Sequence, residues 1–567
     1  MKHATLVLCL APALAAAAAG ALEYPPTPRQ EVVDDYHGTR VVDAYRWLED
    51  TDSPQTADWV AAENQLSLPF LAALPAREAY HKRLTELWNY ERYGVPVRKK
   101  NGALFFTRND GLQNQAVLYV QDGADGAPRV LLDPNTLSSD GTIAMTQWEV
   151  APDGRHVAYG LATAGSDWTE FHVLDVATGK PGPDVLQRIK FSATSWTQDG
   201  LGFFYSRYPD AAKDARGGVF DDLANQKLYY HRLGMQQSED RLIYQRKDQP
   251  KWFLEPQVSD DGRYLFIRIR ASSDNRNALY YQDLEAPLQP KLDASVVPLV
   301  ERIDSEYSPI GNDGPVLYLL TTSKAPRKRI VAVDLRTKRW VTRVPQGADP
   351  VETALVAGHQ FIVLTMHDAV HRLLRHALDG KAMAPLPMPG VGSVTDTPEA
   401  GLFIHGDADS DEFFYSYNDF SHPPQDQRCE LAKGTCTPFQ PVKLAFNPDD
   451  YTTEQVFYKS KDGTRVPLFI SYRKGWNRKD GTRPALLYGY GGFDYAQLPS
   501  FARVELSVPA LAWMEQGGLY AVANLRGGGE YGEGWHKAGT KEKKQNVFDD
   551  FIAAGQYLVA QGYTTTS

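Results

Sequence analysis

Two glycine-rich runs hold the residues best suited to chemistry: Tyr488-Gly489-Tyr490-Gly491-Gly492-Phe493 and Asn524-Leu525-Arg526-Gly527-Gly528-Gly529-Glu530-Tyr531-Gly532. In the first, small residues around Tyr490 let a substrate backbone come close to a phenol hydroxyl. A tyrosine at a strand end is equally compatible with plain core packing, and the pattern alone leaves both readings open. In the second, the glycines do not open a helix and the Walker spacing is absent, which argues against a phosphate cradle. Arg526 to Glu530 reads instead as a structural turn containing a buried charge pair. Hydrolysis by a serine would need a nucleophile elbow, G-x-S-x-G, and that pattern occurs nowhere in the 567 residues. His536 lies in the same region without a serine or acid partner in a recognisable motif.

The remaining reactive side chains are cysteines. Cys9 falls in an apolar N-terminal run, from Leu6 to Ala19, that follows Lys2 and His3 and ends at Ala19-Gly20-Ala21. That is the layout of a secretory signal, with cleavage expected before Leu22 and a periplasmic or secreted product. The alternative is an N-terminal membrane anchor, for which the run is short and Ala-rich. Leu8 before Cys9 is too large for a lipoprotein site. Cys429 and Cys436 bracket a short polar loop. An oxidising compartment makes a loop-stapling disulfide the expectation, with two free thiols as the alternative. Two cysteines without further ligands nearby do not make a metal site, and neither metal nor cofactor is expected.

Composition sets the wider limits. Net charge is -10, with 70 acidic and 60 basic residues and no basic stripe, which excludes nucleic acid as an expected partner. No stretch after the leader could span a membrane. The length calls for at least two large domains. Plentiful Tyr, Phe and Trp, with many Asp-Gly pairs, favour a β-rich body.

A polar turn leading into a short apolar strand recurs through the middle of the chain. Its glycines are Gly102, Gly154, Gly200, Gly262, Gly314, Gly358 and Gly401, 43 to 62 residues apart. Several strands per repeat without a long helical pattern predict a β-propeller of seven blades; a pair of β-sandwiches is the alternative. Before it, residues 54 to 92 read as helix. After Pro448 the pattern changes to α/β. Val456 to Tyr458 and Val466 to Ile470 form a hairpin across Lys461-Asp462-Gly463. Pro484 to Tyr490 is a fully apolar strand of the kind found in a buried sheet. Gly518 to Leu525 is another strand, and Asn546 to Gln561 is an amphipathic helix.

With these motifs in place, the chain resembles the prolyl oligopeptidase family, serine peptidases in which a seven-bladed propeller caps an α/β-hydrolase domain. Besides the two glycine-rich runs, the resemblance rests on Asp43-Ala44-Tyr45-Arg46-Trp47-Leu48-Glu49, Gly165-Ser166-Asp167-Trp168 and Ile189-Lys190-Phe191-Ser192. Gln226 to His231 and Gln237 to Asp240 continue it. It implies a signal peptide at 1–21, an N-terminal helical segment of the hydrolase domain at 22–89, a propeller at 90–444 and the first part of the hydrolase domain at 445–567. The hydrolase domain is then discontinuous and incomplete at its C-terminal end.

The resemblance also assigns roles. Tyr490 offers its hydroxyl to the oxyanion of acyl transfer, a contribution whose loss costs roughly 3 to 4 kcal/mol. Phe493 and Phe191 match aromatic positions lining substrate subsites, Ile243 an apolar wall position, and Asp167 an acidic residue near the amino end of the substrate. Each is open to a plainer reading as packing or solvated charge. The family's nucleophilic Ser, Asp and His all follow Gly562, so the implied activity is cleavage of short peptides after proline, by a monomer, and this chain is expected to be inactive. Its strand Leu486-Leu487-Tyr488 is expected to form an open sheet edge. The alternatives are a non-catalytic, peptide-binding propeller and the related oligopeptidase that cleaves after basic residues.

Overall fold

The computed structural model describes residues 22–210, 223–272, 274–394, 404–475, 481–501 and 507–566. The leader expected at 1–21 and Gly401 lie outside them. The chain divides into two units, residues 1–83 and 84–567.

The first unit is not helical throughout. It begins with a hairpin of Val33–Tyr36 and Thr39–Val42. Helix α1, Pro54–Ala72, starts where Ser53 accepts a bond from the Thr56 N–H at 3.2 Å, with Pro54 in the first turn. A tryptophan pair fastens the helix: Trp47 and Trp59 meet edge to face at 6.4 Å. Their indole N–H groups donate to the Pro28 carbonyl and the Thr27 hydroxyl. The single helix expected over 54 to 92 is two, because Pro75 lacks the N–H that would continue it. Helix α2 spans Arg77–Trp88.

The second unit opens with seven antiparallel sheets in chain order, at 92–132, 143–189, 195–245, 253–300, 307–344, 351–383 and 393–438. This is the seven-bladed propeller. Each blade is one contiguous stretch of chain. The recurring glycines sit between the first and second strands of their blades. Gly154 and Gly262 both hold φ +73°, a conformation that costs glycine nothing. The second strands carry the blade core, since both of their faces are covered. In Gly202–Arg207, Phe203 and Tyr205 pack on Phe171 and Leu186 of the preceding blade. Phe204, pointing the other way, packs on Leu265 and Ile267 of the next. Burying each such ring contributes about 2 kcal/mol or more, so alternation along one strand joins three blades.

The chain then forms a four-stranded sheet in the order Tyr451–Lys459, Arg465–Arg473, Leu519–Ala523, Ala485–Gly489. Only the last pair is parallel. Helix α3, Ser507–Glu515, links them. Helix α5, Gln545–Ala560, lays Val547, Ala554 and Leu558 on the sheet beside Tyr458 and Leu468. The apolar strand Ala485–Gly489 is the terminal strand of the sheet among the described residues, the open edge expected of it, and Leu486 is 42 % exposed. An apolar run reports what a strand can bury, not how many neighbours it has.

Propeller and sheet meet at one end of the blades. The Tyr531 hydroxyl donates to Asp368 at 2.6 Å, in the hairpin turn of the sixth blade. In the seventh, Ser393 donates to the Pro499 carbonyl at 2.6 Å and Asn418 accepts from the Phe501 N–H at 2.7 Å. The turns carrying the recurring glycines lie at the opposite end. No helix among the described residues is long and apolar enough to cross a membrane.

Candidate active site

The two glycine-rich runs are one structure. The loop after Ala485–Gly489 rests on the turn after Leu519–Ala523, backbone against backbone. A Cβ at Gly527, which holds φ +94°, would fall 2.5 Å from the Gly491 carbonyl oxygen. A Cβ at Gly491 would meet Val547 at 2.4 Å. Neither position admits a side chain, and so Tyr490 is held on a platform it does not itself build.

Two charged groups brace that platform. The Arg526 guanidinium bonds Asp550 of α5 at 2.6 Å and Asp462 at 2.6 Å. Asp550 is fully buried. The hydrogen bond from Arg526 holds Asp462 down at about 2. The buried pair expected within Arg526 to Glu530 is therefore formed differently, with acids distant in sequence. Glu530 stands apart from it. Its carboxylate accepts the Gln497 N–H at 2.9 Å, while the Asn524 amide donates to the Gln497 carbonyl at 2.5 Å. Burial pushes Glu530 up to about 7, and its second oxygen has no partner. Glu530 and Asn524 thus pin the far end of the loop that follows Tyr490.

What this frame presents is aromatic. Tyr490 is 46 % exposed and Phe493 is 86 % exposed; their ring centroids are 6.3 Å apart, with Tyr495 edge-on to Tyr490 at 6.0 Å. The Tyr490 hydroxyl makes no hydrogen bond among the described residues. Phe493 and Asp494 hold φ +56° and +57°, strained values for side-chain-bearing residues and a mark of functional loops. His536 is engaged by the platform itself, its Nδ1 2.8 Å from the Gly527 carbonyl and 3.0 Å from the Asp494 N–H.

A second group forms on the propeller. Lys190 bonds Asp167 at 3.1 Å and lies 5.2 Å from the Phe191 ring centroid. Phe191 is 49 % exposed and stands edge-on to Phe253 at 5.5 Å. Arg188 covers Trp168 at 4.2 Å. Arg188 and Phe191 both hold positive φ, and their loop is tied down by Gln226 to the Lys190 carbonyl and Gln147 to the Ser192 carbonyl. So Asp167 and Phe191 come together through Lys190, which the sequence reading passed over although it stands inside Ile189-Lys190-Phe191-Ser192. Ile243 faces elsewhere. It packs half-buried against the cluster of Phe204, Leu254 and Ile267. Cys429 and Cys436 stand directly opposite on neighbouring strands of the seventh blade and form a disulfide.

The arrangement suits extended peptide: flat aromatic rings, an ion pair beside one of them, and an uncommitted hydroxyl on a rigid loop. Comparison with known proteins shows the family. Residues 25–442 match the family described as prolyl oligopeptidase, N-terminal beta-propeller domain, and residues 505–567 match the prolyl oligopeptidase family. The chain is 38% identical to a prolyl endopeptidase of Elizabethkingia meningoseptica, over 98% of this chain and 75% of that one. It is 32% identical to prolyl oligopeptidase A of Galerina marginata, over 95% and 76%. Among solved structures, one from an analysis of two prolyl endopeptidases and inter-domain dynamics superposes with TM-score 0.74 at 37% identity, over 95% of this chain and 75% of that one. Prolyl oligopeptidase B of Galerina marginata, bound to a 25mer macrocyclization substrate, superposes with TM-score 0.85 at 29% identity, over 96% and 77%.

Proposed function

The chain belongs to the prolyl oligopeptidase family, and we propose that its site binds short peptides for cleavage on the carboxyl side of proline through an acyl-enzyme. Tyr490 carries this reading. Its free hydroxyl is held on a preorganised loop, where a donor can meet charge that develops only in the transition state. Phe493 contacts the substrate from the hydrolase side. Phe191, with the Lys190–Asp167 pair, contacts it from the propeller and receives its amino-terminal part. The substrate stays a peptide; no cofactor is needed for acyl transfer of this kind.

The nucleophile is not among these 567 residues, which contain no G-x-S-x-G. The residues in hand are then the substrate-binding frame of the site. The alternative is a peptide-binding propeller protein that does no chemistry, for which the exposed Phe191 ring on the propeller speaks. The experiment that separates them adds the nucleophile: the residues in hand are expressed together with a segment carrying the elbow, and cleavage of a proline-containing fluorogenic peptide is followed. Activity that depends on Tyr490 supports the peptidase; peptide binding with no activity supports the module. We further propose that the protein is exported, with the Lys2-to-Ala21 pattern as the reason. N-terminal sequencing that finds Leu22 first supports export, and an intact Met1 contradicts it.

A further inference from the structure

At the end of the propeller away from the sheet, on its axis, lies a cavity of about 180 Å³ lined by the innermost strands of five blades. It is unlike the aromatic site. Lys99 and Lys100 come from the first blade, Glu149 from the second, Asp260 from the fourth and Asp407 from the seventh. The Arg98 guanidinium beside them is already paired with Glu412 across the seam between first and last blades.

Two groups here lack a direct partner. Lys99 is enclosed by protein, so that burial lowers its affinity for a proton, and Glu149 and Asp407 act on it only at longer range. Its amine has no hydrogen bond or ion pair among the described residues. Beside it the buried Nε2 of His405 also lacks a partner. Opposite, enclosure and the neighbouring Asp407, Asp261 and Asp409 push Asp260 up to about 6. Burial pushes Glu149 up to about 7, even though Thr194 donates to it at 2.9 Å. Asp260 thus feels three like charges, and the Lys99 amine has no direct partner although Glu149 and Asp407 act on it at longer range. Like charges enclosed together, beside an amine without a direct partner, are costly. A ligand bearing both signs relieves both.

We propose that this axial cavity is a binding site for a small zwitterion, a free amino acid or dipeptide, whose carboxylate bonds Lys99 and whose ammonium sits between Asp260 and Asp407. The site is separate from the Tyr490 and Phe191 surfaces and does not depend on any catalytic activity.

Calorimetric titration of the 567-residue chain with glycylglycine tests this. Binding is expected at millimolar concentration or tighter. Near pH 6 it should release protons, read from its dependence on buffer ionisation enthalpy, because an arriving ammonium displaces protons from Asp260 and its neighbours. N-acetyl-glycylglycine lacks the ammonium and glycylglycine amide lacks the carboxylate; each should bind at least about tenfold more weakly. Lys99→Met and Asp260→Asn should weaken glycylglycine by a similar factor, with circular dichroism confirming the fold. Equal binding of the capped dipeptides, proton uptake, or no binding at tens of millimolar would overturn the proposal. The capped ligands decide it even if a variant fails to fold.

Discussion

Gly527 lies against Gly491 so closely that a Cβ on the first would stand 2.5 Å from the carbonyl oxygen of the second. The contact joins the two glycine-rich runs and sets where Tyr490 can be. Gly527→Ala therefore meets both a clash and a left-handed backbone, and should destabilise the hydrolase part by roughly 1 to 3 kcal/mol. Gly534→Ala, with open space around its Cβ, is the control and should change stability little. Urea denaturation of both variants provides the comparison.

In an active form that includes a nucleophile segment, Tyr490→Phe should lower kcat by roughly two to three orders of magnitude and leave KM nearly unchanged. The hydroxyl acts on charge that the ground state lacks. Steady-state kinetics on a proline-containing peptide supply the test; an unchanged kcat removes Tyr490 from the oxyanion role.

Arg526→Met should destabilise by about 3 to 5 kcal/mol, because it leaves Asp550 buried without its cation. Adding Asp550→Asn should recover part of the loss, since the uncompensated charge is then gone. Failure of the second substitution to recover anything would mean that the guanidinium acts mainly through packing. Chemical denaturation of the single and double variants measures the coupling.

A pH-dependent contribution is expected from the third blade. His231 is fully buried between Asp184 at 3.0 Å and Asp240 at 2.7 Å. Burial opposes its charge, but the bonds to the two carboxylates prevail and raise it to about 9. A folded value above the unfolded one means that its stabilisation is complete below about pH 6.5 and disappears as pH rises through about 9. The loss should be on the order of 3 kcal/mol. Thermal denaturation between pH 6 and 10 should show this fall, and His231→Gln should flatten it.

Reducing the Cys429–Cys436 bond should cost about 2 kcal/mol, the loop-closure value for so short a ring. The two cysteines are 7 residues apart in sequence. Denaturation with and without a phosphine reductant reads the difference.

The propeller could be seen in the sequence because its turns are chemically distinct. Glycines such as Gly154 and Gly262 are placed by a backbone conformation that few other residues tolerate, so their period survives in the text of the chain. Tyr490 and Phe493 were visible for a related reason, since they sit among glycines that the close backbone contact requires. What could not be read depends on distant partners. The acid that grips Arg526 is Asp550, on a later helix, and nothing in the turn itself announces it. Glu530 looked like that partner because it is near in sequence. Leu486 belongs to an apolar run, and its exposure follows from its strand having one neighbour among the described residues, the open edge that the family resemblance implies. Nothing in the sequence around Lys99 announces the axial cavity that encloses it.

The most direct measurement is release of aminomethylcoumarin from a succinyl-Gly-Pro substrate by the purified 567-residue chain. A site with Tyr490 and its aromatic neighbours in place but no nucleophile elbow should give no release above the buffer rate. Sustained release, abolished by a serine-directed fluorophosphonate, would show that a nucleophile outside any G-x-S-x-G motif operates here, and would contradict the account.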